Sequence, residues 1–190
     1  RQADFSDLLK MADEVEGIER IRYMTSHPKD LSHKLIETVR DSRHICEHFH
    51  IPVQHGNDRI LRAMNRGYTI ERYRNLVQEI RETLPDASIT TDLIVGFPGE
   101  EETDFAQLLN FVEEMRYDAA YTFLYSTRSG TPAAAMEHQV PSEVKKERLH
   151  RLMEVQDAIS REVNEPYRGR IVKVMVEGPS AHRPDVWTGR

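Results

Sequence analysis

The sequence predicts an α/β fold in which parallel strands alternate with helices. Four segments rich in branched and aromatic apolar residues are each followed by a helical pattern. Successive units start about 30–40 residues apart, the repeat length of a parallel βα structure. Each strand also ends in polar, glycine-rich or proline-rich residues, which is where barrel and doubly wound enzymes place their sites.

The four predicted strands cover 18–24, about 48–53, a run that opens at Ser88, and 119–125. The third is the clearest, because Ile89, Leu93 and Val95 suit a buried strand. It breaks at Gly96-Phe97-Pro98-Gly99, where glycine lets the backbone approach a bound molecule without a Cβ in the way. A helix pattern then begins at Glu100.

Helices are predicted from apolar spacing and from capping residues. The predicted helices cover 4–15, 30–39, 58–65, 70–83, 100–116, and a long segment that Ser142 caps and that Pro166 and Gly169 end. A further strand is predicted over 170–176, where apolar and polar residues alternate again. On the long helix, Lys145, Lys146, Arg148 and Arg151 alternate with glutamates, which predicts a solvated, salt-bridged face.

Composition narrows the class of protein. The chain has 190 residues with 38% hydrophobic and 31% charged side chains, typical of a globular domain. Its single cysteine, Cys46, excludes an internal disulfide framework and predicts a cytoplasmic protein. No apolar run reaches membrane-spanning length. The net charge is −6, yet residues 141–190 hold 10 basic and 8 acidic side chains, so a polyanion would approach that side.

Several longer motifs follow one another along the chain. They are Thr25-Ser26-His27-Pro28, Ile51-Pro52-Val53-Gln54, Thr91-Asp92-Leu93-Ile94-Val95-Gly96-Phe97-Pro98-Gly99-Glu100, Tyr121-Thr122-Phe123-Leu124-Tyr125-Ser126, Gly130-Thr131-Pro132-Ala133-Ala134 and the run from Val140 to Leu149. In this order they closely resemble the radical SAM methylthiotransferases, above all the MiaB-type branch that modifies tRNA. The resemblance covers essentially the whole chain.

The resemblance implies the C-terminal portion of a partial (βα)6 barrel over residues 1–166, followed over 167–190 by the start of a small β-barrel, the TRAM domain. It implies S-adenosylmethionine and [4Fe–4S] clusters as cofactors and tRNA as substrate. The implied reaction adds a 2-methylthio group to N6-isopentenyladenosine next to the anticodon through a 5′-deoxyadenosyl radical. The full-length protein is expected to be a monomer without a membrane segment.

The chain departs from the family's pattern in one important respect. Radical SAM enzymes hold their cluster through a Cys-x3-Cys-x2-Cys run, and this sequence contains none. It also begins at Arg1 rather than at a methionine. We therefore expect a fragment that lacks the first βα units and an upstream domain and that does not catalyse the family reaction by itself.

Six residues at strand ends or on strands are predicted to bind the cofactor. Gln54 is the strongest candidate, because its amide can both donate and accept a hydrogen bond. Asp92 lies on a strand among apolar residues and would need a partner. Arg128 could meet a carboxylate or phosphate bidentately, or be a surface arginine. The predicted set is Ser26, Gln54, Gly56, Asp92, Gly96 and Arg128; no catalytic residue and no metal ligand is predicted.

The cluster of histidines from His44 to His55 has two interpretations. On a strand, Cys46, His48 and His50 would share a face, so a zinc site is conceivable. Partly buried, hydrogen-bonded histidines are the default, because no matching distant ligand pair exists. Two other functions also stay open: the sister branch that methylthiolates an aspartate of a ribosomal protein, and a non-catalytic βα scaffold that binds RNA.

Overall fold

The computed structural model describes residues 3–24 and 27–189. Its helices are α1 (Phe5–Asp13), α2 (His33–Asp41), α3 (Asp58–Ala63), α4 (Ile70–Thr83), α5 (Glu102–Met115) and α6 (Ser142–Asn164). Its strands are β1 (His48–His50), β2 (Ser88–Val95), β3 (Ala119–Leu124), β4 (Val176–Pro179) and β5 (Trp187–Gly189). Short 3-10 turns cover Pro132–Ala135 and Glu165–Tyr167.

The central sheet is parallel, with strand order β1-β2-β3. Helices connect its strands, so the predicted alternation of parallel strands and helices is confirmed. The pairing between β1 and β2 continues past β1 through a parallel bridge that joins Gln54 to Leu93. The carboxyl ends of all three strands therefore lie at one edge of the sheet.

Two predicted strands differ from the structure. The segment 18–24 contributes only a bridge at Ile21, which pairs with Ile45. The partner segment, 44–46, is irregular, so the strand pairing does not extend beyond this one bridge. The strand predicted over 170–176 is wrong: β4 begins at Val176, and Ile171 is fully exposed. Alternation alone does not make a strand where no surface is available to bury the apolar side chains.

The predicted starts at 30 and 100 lie two to three residues before the observed starts of α2 and α5, whereas α4 begins at the predicted residue and α6 begins without the predicted cap. The Thr69 hydroxyl accepts a hydrogen bond from the Arg72 amide at the start of α4, which is the usual capping arrangement. At α6 the N-cap is Pro141, which makes no side-chain cap, and Ser142 is the first helical residue. The proline ring presets the φ angle there, so the turn needs no hydroxyl.

The two faces of the sheet differ in character. Ile89, Leu93 and Val95 of β2 are fully buried in the core that the helices share with the sheet. The alternate residues Thr90, Asp92 and Ile94 lie on the opposite face, because successive side chains of a strand point to opposite sides. We call this second face the open face. Within the described residues, no helix is long and apolar enough to cross a membrane.

Candidate functional site

A cavity of about 580 Å³ lies at the carboxyl ends of β2 and β3. It brings together two predicted site residues, Gln54 and Arg128, that are distant in sequence. The remaining lining residues are Arg66, Ile94, Phe123, Leu124, Tyr125, Ser126, Thr131 and Ala133. An edge of this kind is the usual ligand site of parallel sheets. We call it the strand-end cavity.

Gln54 is held rigidly at the rim of the strand-end cavity. Its backbone N–H donates to the Asp92 carbonyl at 2.9 Å, and its carbonyl accepts from the Ile94 amide at 2.8 Å. Its φ of 70° lies in the left-handed region, which costs free energy for a glutamine. The residue is 8% exposed, and its side-chain amide bonds to no other described residue. The Gln54 backbone is therefore fixed by the sheet, and its side-chain amide keeps its hydrogen-bonding capacity at a residue that lines the cavity.

The strand-end cavity is positively charged. Arg66 and Arg128 both line it, and its described lining contains no carboxylate. Neither guanidinium forms an ion pair with a described acidic side chain. Sequence reasoning missed Arg66. Asn65, just after α3, adopts a φ of 58°, and this left-handed turn redirects the chain immediately before Arg66.

A chain of hydrogen bonds crosses the open face of the sheet. The Thr90 hydroxyl lies 3.1 Å from His48 Nε2 and 3.0 Å from His50 Nδ1. His50 Nε2 in turn lies 3.4 Å from Asp92 Oδ1. Each imidazole can donate from one ring nitrogen and accept at the other, so Thr90 can bridge the two histidines while His50 Nε2 faces the Asp92 carboxyl group. This contact places Asp92, the predicted acidic site residue, beside His50.

The same geometry supports the default interpretation of the histidines. His48 and His50 share a face, as predicted, and both are hydrogen-bonded to protein groups. Burial, followed by the charges of Arg22 and His50, lowers the pKa of His48. Within the described residues, no group of three or more His, Cys, Asp or Glu side chains is arranged to hold a metal ion. Cys46 is a half-buried free thiol.

Aromatic side chains complete the open face on β3. Tyr121 is paired with Asp92 across the strands, and Phe123 with Ile94. The His50 and Tyr121 rings meet edge to face, with centroids 5.8 Å apart. Both aromatic residues are largely exposed, at 59% for Tyr121 and 50% for Phe123. The open face thus combines a carboxyl group, imidazoles and exposed rings.

Gly96 adopts the left-handed conformation expected of a glycine turn, with a φ of 76°. Its N–H donates to Glu100 Oε2 at 2.8 Å. The space that a Cβ would occupy is filled by the aliphatic part of Lys145 from α6. Lys145 Nζ then donates to the Tyr125 carbonyl at 3.1 Å. The predicted close approach at Gly96 is therefore made by a protein side chain in this structure; a contact with cofactor stays a prediction.

Glu100 is the centre of a buried ion pair. Its carboxylate is fully buried and receives Arg148 Nη1 of α6 at 2.8 Å. The imidazole of His55, also fully buried, lies 3.4 Å from the same carboxylate without hydrogen-bond geometry. The predicted solvated face is thus wrong for Arg148, because α6 packs on α5 and buries it. It is confirmed for Arg151, which pairs with Glu147 and Glu102 near the surface.

Gly56 lies apart from the strand-end cavity. Gly56 packs against α5: a Cβ there would lie 2.8 Å from Phe111 Cβ and 2.9 Å from Leu108 Cα. That contact accounts for a glycine without a ligand, and a role in cofactor binding stays a prediction. Ser26 lies outside the described residues.

Comparison with known proteins places this geometry in a family. The family model described as the Radical SAM superfamily matches residues 2–112, more than half of the chain. The chain belongs to the radical SAM superfamily. The matched residues run through β2 and most of α5, so they include Gln54, Asp92 and Gly96.

Similar superfamily members carry one common name. The chain is 55% identical over 186 residues to the tRNA-2-methylthio-N(6)-dimethylallyladenosine synthase of Acetivibrio thermocellus, covering 98% of this chain and 39% of that protein. It is 52% identical over 190 residues to the protein of that name from Desulfitobacterium hafniense, covering 100% and 42%. The predicted resemblance is confirmed. The chain spans about two fifths of the length of these relatives.

A solved superfamily structure supports the fold. Coproporphyrinogen III oxidase (HemN) from Escherichia coli, a radical SAM enzyme, superimposes with a TM-score of 0.62 at 21% identity. The match covers 81% of this chain and 36% of that chain. At this identity the likeness concerns the fold alone, and it confirms the predicted α/β structure as a part of a radical SAM barrel.

Proposed function

We propose that this chain is part of a radical SAM methylthiotransferase that adds a 2-methylthio group to N6-isopentenyladenosine next to the anticodon of tRNA. The shared name of relatives above 50% identity supports the reaction and the substrate. Membership of the radical SAM superfamily supports the chemistry. These relatives are longer than the chain, so the activity belongs to a protein of their full length.

The observation that carries the proposal is the strand-end cavity. A volume of about 580 Å³ is within the usual range for a small-molecule site. The Gln54 amide can bond the ribose or the amino-acid part of S-adenosylmethionine. The Arg128 guanidinium can bind the carboxylate of the same molecule through two parallel hydrogen bonds.

The remaining predicted residues act around this cavity. Asp92, oriented by His50 and Thr90, can accept hydrogen bonds from hydroxyl or ammonium groups of the cofactor. The peptide groups near Gly96 are fixed by Glu100, which positions that loop at the sheet edge. With S-adenosylmethionine held by these residues, the cofactor would supply the radical chemistry of hydrogen abstraction once an electron reached it from a reduced cluster.

This chain cannot hold a [4Fe–4S] cluster by itself, because its only thiol is that of Cys46. Three thiolates are needed for a radical SAM cluster, so the residues present here do not fit that group. In our proposal the ligands come from other parts of the longer protein. Residues 1–166 then form the barrel portion and 167–190 the start of the TRAM domain, in a cytoplasmic monomer that binds tRNA.

The proposal is tested with the full-length protein. We expect Gln54→Ala to lower the affinity for S-adenosylmethionine up to about tenfold, because it removes one hydrogen-bonding amide, while tRNA binding changes little. Equilibrium dialysis measures the first quantity and filter binding the second. Nucleoside mass spectrometry of tRNA from a strain without the enzyme shows whether the wild-type protein restores the 2-methylthio group.

The matched control is Glu147→Ala, an exposed position on α6 that should change neither affinity. If Gln54→Ala bound S-adenosylmethionine with wild-type affinity, Gln54 would not be a cofactor-binding residue. Modification of a ribosomal-protein aspartate instead of tRNA would favour the sister branch. Binding of tRNA with no modification would favour a scaffold without catalysis.

A further inference from the structure

We propose that Lys145 is a positioning residue for the cofactor site, because it fixes the distance between the loop that follows β2 and the end of β3. The inference rests on the proposed function, since the site in question is the strand-end cavity. It goes beyond that function by assigning a role to a residue of α6, which does not itself line the cavity. Lys145 acts through Tyr125, which does line it.

The first observation is the place where the two strands separate. At the end of the β2–β3 ladder, the Tyr125 amide donates to the Val95 carbonyl at 2.8 Å. One chain then turns at Gly96, with a φ of 76°, into the loop that leads to α5. The other continues through Ser126 along the wall of the cavity. Loops are more mobile than the strands they follow, so a contact beyond the ladder decides how far apart these two loops stand.

The second observation is that Lys145 contacts both chains just beyond the ladder. On one side its aliphatic stem fills the space beside Gly96, where an ideal Cβ would lie 2.8 Å from Lys145 Cδ. On the other side its ammonium group donates to the Tyr125 carbonyl at 3.1 Å and lies 5.0 Å from the centre of the Tyr125 ring. A lysine suits both contacts, because its stem is apolar and its charged tip is attracted to a carbonyl and to a ring face.

The third observation is what holds the ammonium group and the ring. Lys145 forms no ion pair with a described acidic side chain, whereas Lys146 beside it binds Glu143 at 2.9 Å. Phe97, the residue after Gly96, meets the Tyr125 ring edge to face, with centroids 5.1 Å apart. The Tyr125 ring is thus held from two sides, by the loop after β2 and by α6.

This arrangement connects Gly96 to the wall of the cavity. Tyr125, Ser126 and Arg128 all line that wall, and our proposed function assigns Arg128 to the carboxylate of S-adenosylmethionine. Two parallel hydrogen bonds form only when the guanidinium is placed correctly, so a shift of the wall weakens them. Loss of the Lys145 ammonium frees the Tyr125 carbonyl and allows such a shift. A side chain at position 96 would displace the Lys145 stem and disturb the same wall from the other end.

The experiment uses the full-length protein with its clusters and compares substitutions of Lys145. Lys145→Met keeps an apolar stem without the ammonium group, and Lys145→Arg keeps both a stem and a cationic donor. Equilibrium dialysis gives the affinity for S-adenosylmethionine, filter binding the affinity for tRNA, and urea denaturation the unfolding midpoint. We expect Lys145→Met to weaken cofactor binding up to about tenfold, the usual size of one hydrogen bond, with tRNA binding unchanged. Lys145→Arg should restore most of the loss.

The matched control is Lys146→Met, which changes the neighbouring exposed lysine and should alter neither affinity. A double-variant cycle then tests the connection to Gly96. Gly96→Ala should weaken cofactor binding, because the new Cβ meets the Lys145 stem. Lys145→Ala removes that stem, so the double variant should lose about as much affinity as the weaker-binding single variant, and not the product of the two losses.

Wild-type cofactor affinity in Lys145→Met, with only a lower urea midpoint, would show a merely structural role and overturn the inference. So would a Lys145→Arg variant that binds as weakly as Lys145→Met, or losses that multiply in full in the cycle. The methionine and arginine variants both keep the stem beside Gly96, so their comparison does not depend on the folding of Lys145→Ala. Failure of the wild-type protein to bind S-adenosylmethionine would instead overturn the proposed function, and this inference with it.

Discussion

Gly56 and Gly67 flank α3 and differ in what a Cβ would meet. At Gly56 a Cβ would lie 2.9 Å from Leu108 Cα, which is backbone of α5 and cannot move alone. At Gly67 nothing lies within 4 Å of the same atom. Packing against α5 therefore requires a glycine at position 56. At position 67 no packing contact requires one, and the glycine mainly increases the conformational entropy of the unfolded chain.

We expect Gly56→Ala to lower the free energy of unfolding by about 1–3 kcal/mol, the usual cost of overpacking. Gly67→Ala should be neutral or stabilising by up to about 1 kcal/mol, because it reduces the entropy of the unfolded chain. Urea denaturation measures both. A stable Gly56→Ala that loses affinity for S-adenosylmethionine would instead support the predicted ligand role of this glycine.

His48 and His33 should respond to pH in opposite directions. Burial lowers the pKa of His48, so near its ordinary pKa of about 6.5 the unfolded chain binds more protons than the folded one. Stability is then lost as pH falls below about 6.5. The hydrogen bond with Glu79 raises the pKa of the exposed His33, so its contribution is present at low pH and lost as pH rises through the folded value.

We therefore expect His48→Gln to flatten the loss of stability toward acid pH, and His33→Gln to flatten the loss toward neutral pH. Urea denaturation at several values between about pH 5 and 8 measures both slopes. Parallel slopes for the two variants and the wild type would show that neither imidazole changes its protonation on folding.

At the scale of elements, α6 connects the ends of two strands. Lys145 crosses Gly96 after β2 and reaches the Tyr125 carbonyl after β3. One turn later, Arg148 binds both the carboxylate and the carbonyl of Glu100. The helix therefore holds the loops that follow β2 and β3. No residue of α6 itself lines the strand-end cavity, whereas Tyr125, which Lys145 contacts, does.

We expect Arg148→Ala to cost about 3–5 kcal/mol in unfolding free energy, because it leaves the Glu100 carboxylate buried without its partner. Arg151→Ala breaks only partly exposed pairs and should cost less than about 1 kcal/mol. The double variant Glu100→Gln with Arg148→Met should recover part of the loss, since glutamine keeps an acceptor for the Gly96 amide. Equal costs for the two single variants in urea denaturation would contradict the buried pair.

These same elements show how far the sequence could predict the structure. Periodicity located α4 within its observed bounds and β2 up to its glycine turn, because local patterns decide both. It could not predict that Arg148 is buried, because i,i+4 charge spacing looks the same whether or not another helix covers it. Arg66 was missed for a similar reason: it lines one cavity with Gln54 only because the chain turns at Asn65, and that turn is a tertiary feature.

For the molecule as a whole, the C-terminal hairpin of β4 and β5 differs from the rest. Its strands have four and three residues and pair only with each other in the described structure. Neither contains a buried side chain, and Trp187 is 67% exposed. A two-stranded hairpin of this kind is marginal in water, whereas the barrel portion shares one continuous core. The predicted boundary at residues 166 and 167 stays a prediction that this difference can test.

We expect the 190-residue chain to unfold in two separable steps. Trp187 is the only tryptophan, so its fluorescence reports on the hairpin alone, while far-UV circular dichroism reports mainly on the helices. In a urea titration the fluorescence change should come at lower denaturant than the dichroism change, because the hairpin has no buried apolar surface to lose. Val77→Ala in the core, a fully buried position of α4, should shift the dichroism transition and leave the fluorescence transition in place. Coincident transitions in both proteins would mean that residues 167–190 fold as part of the barrel core, and the predicted domain boundary would then be wrong.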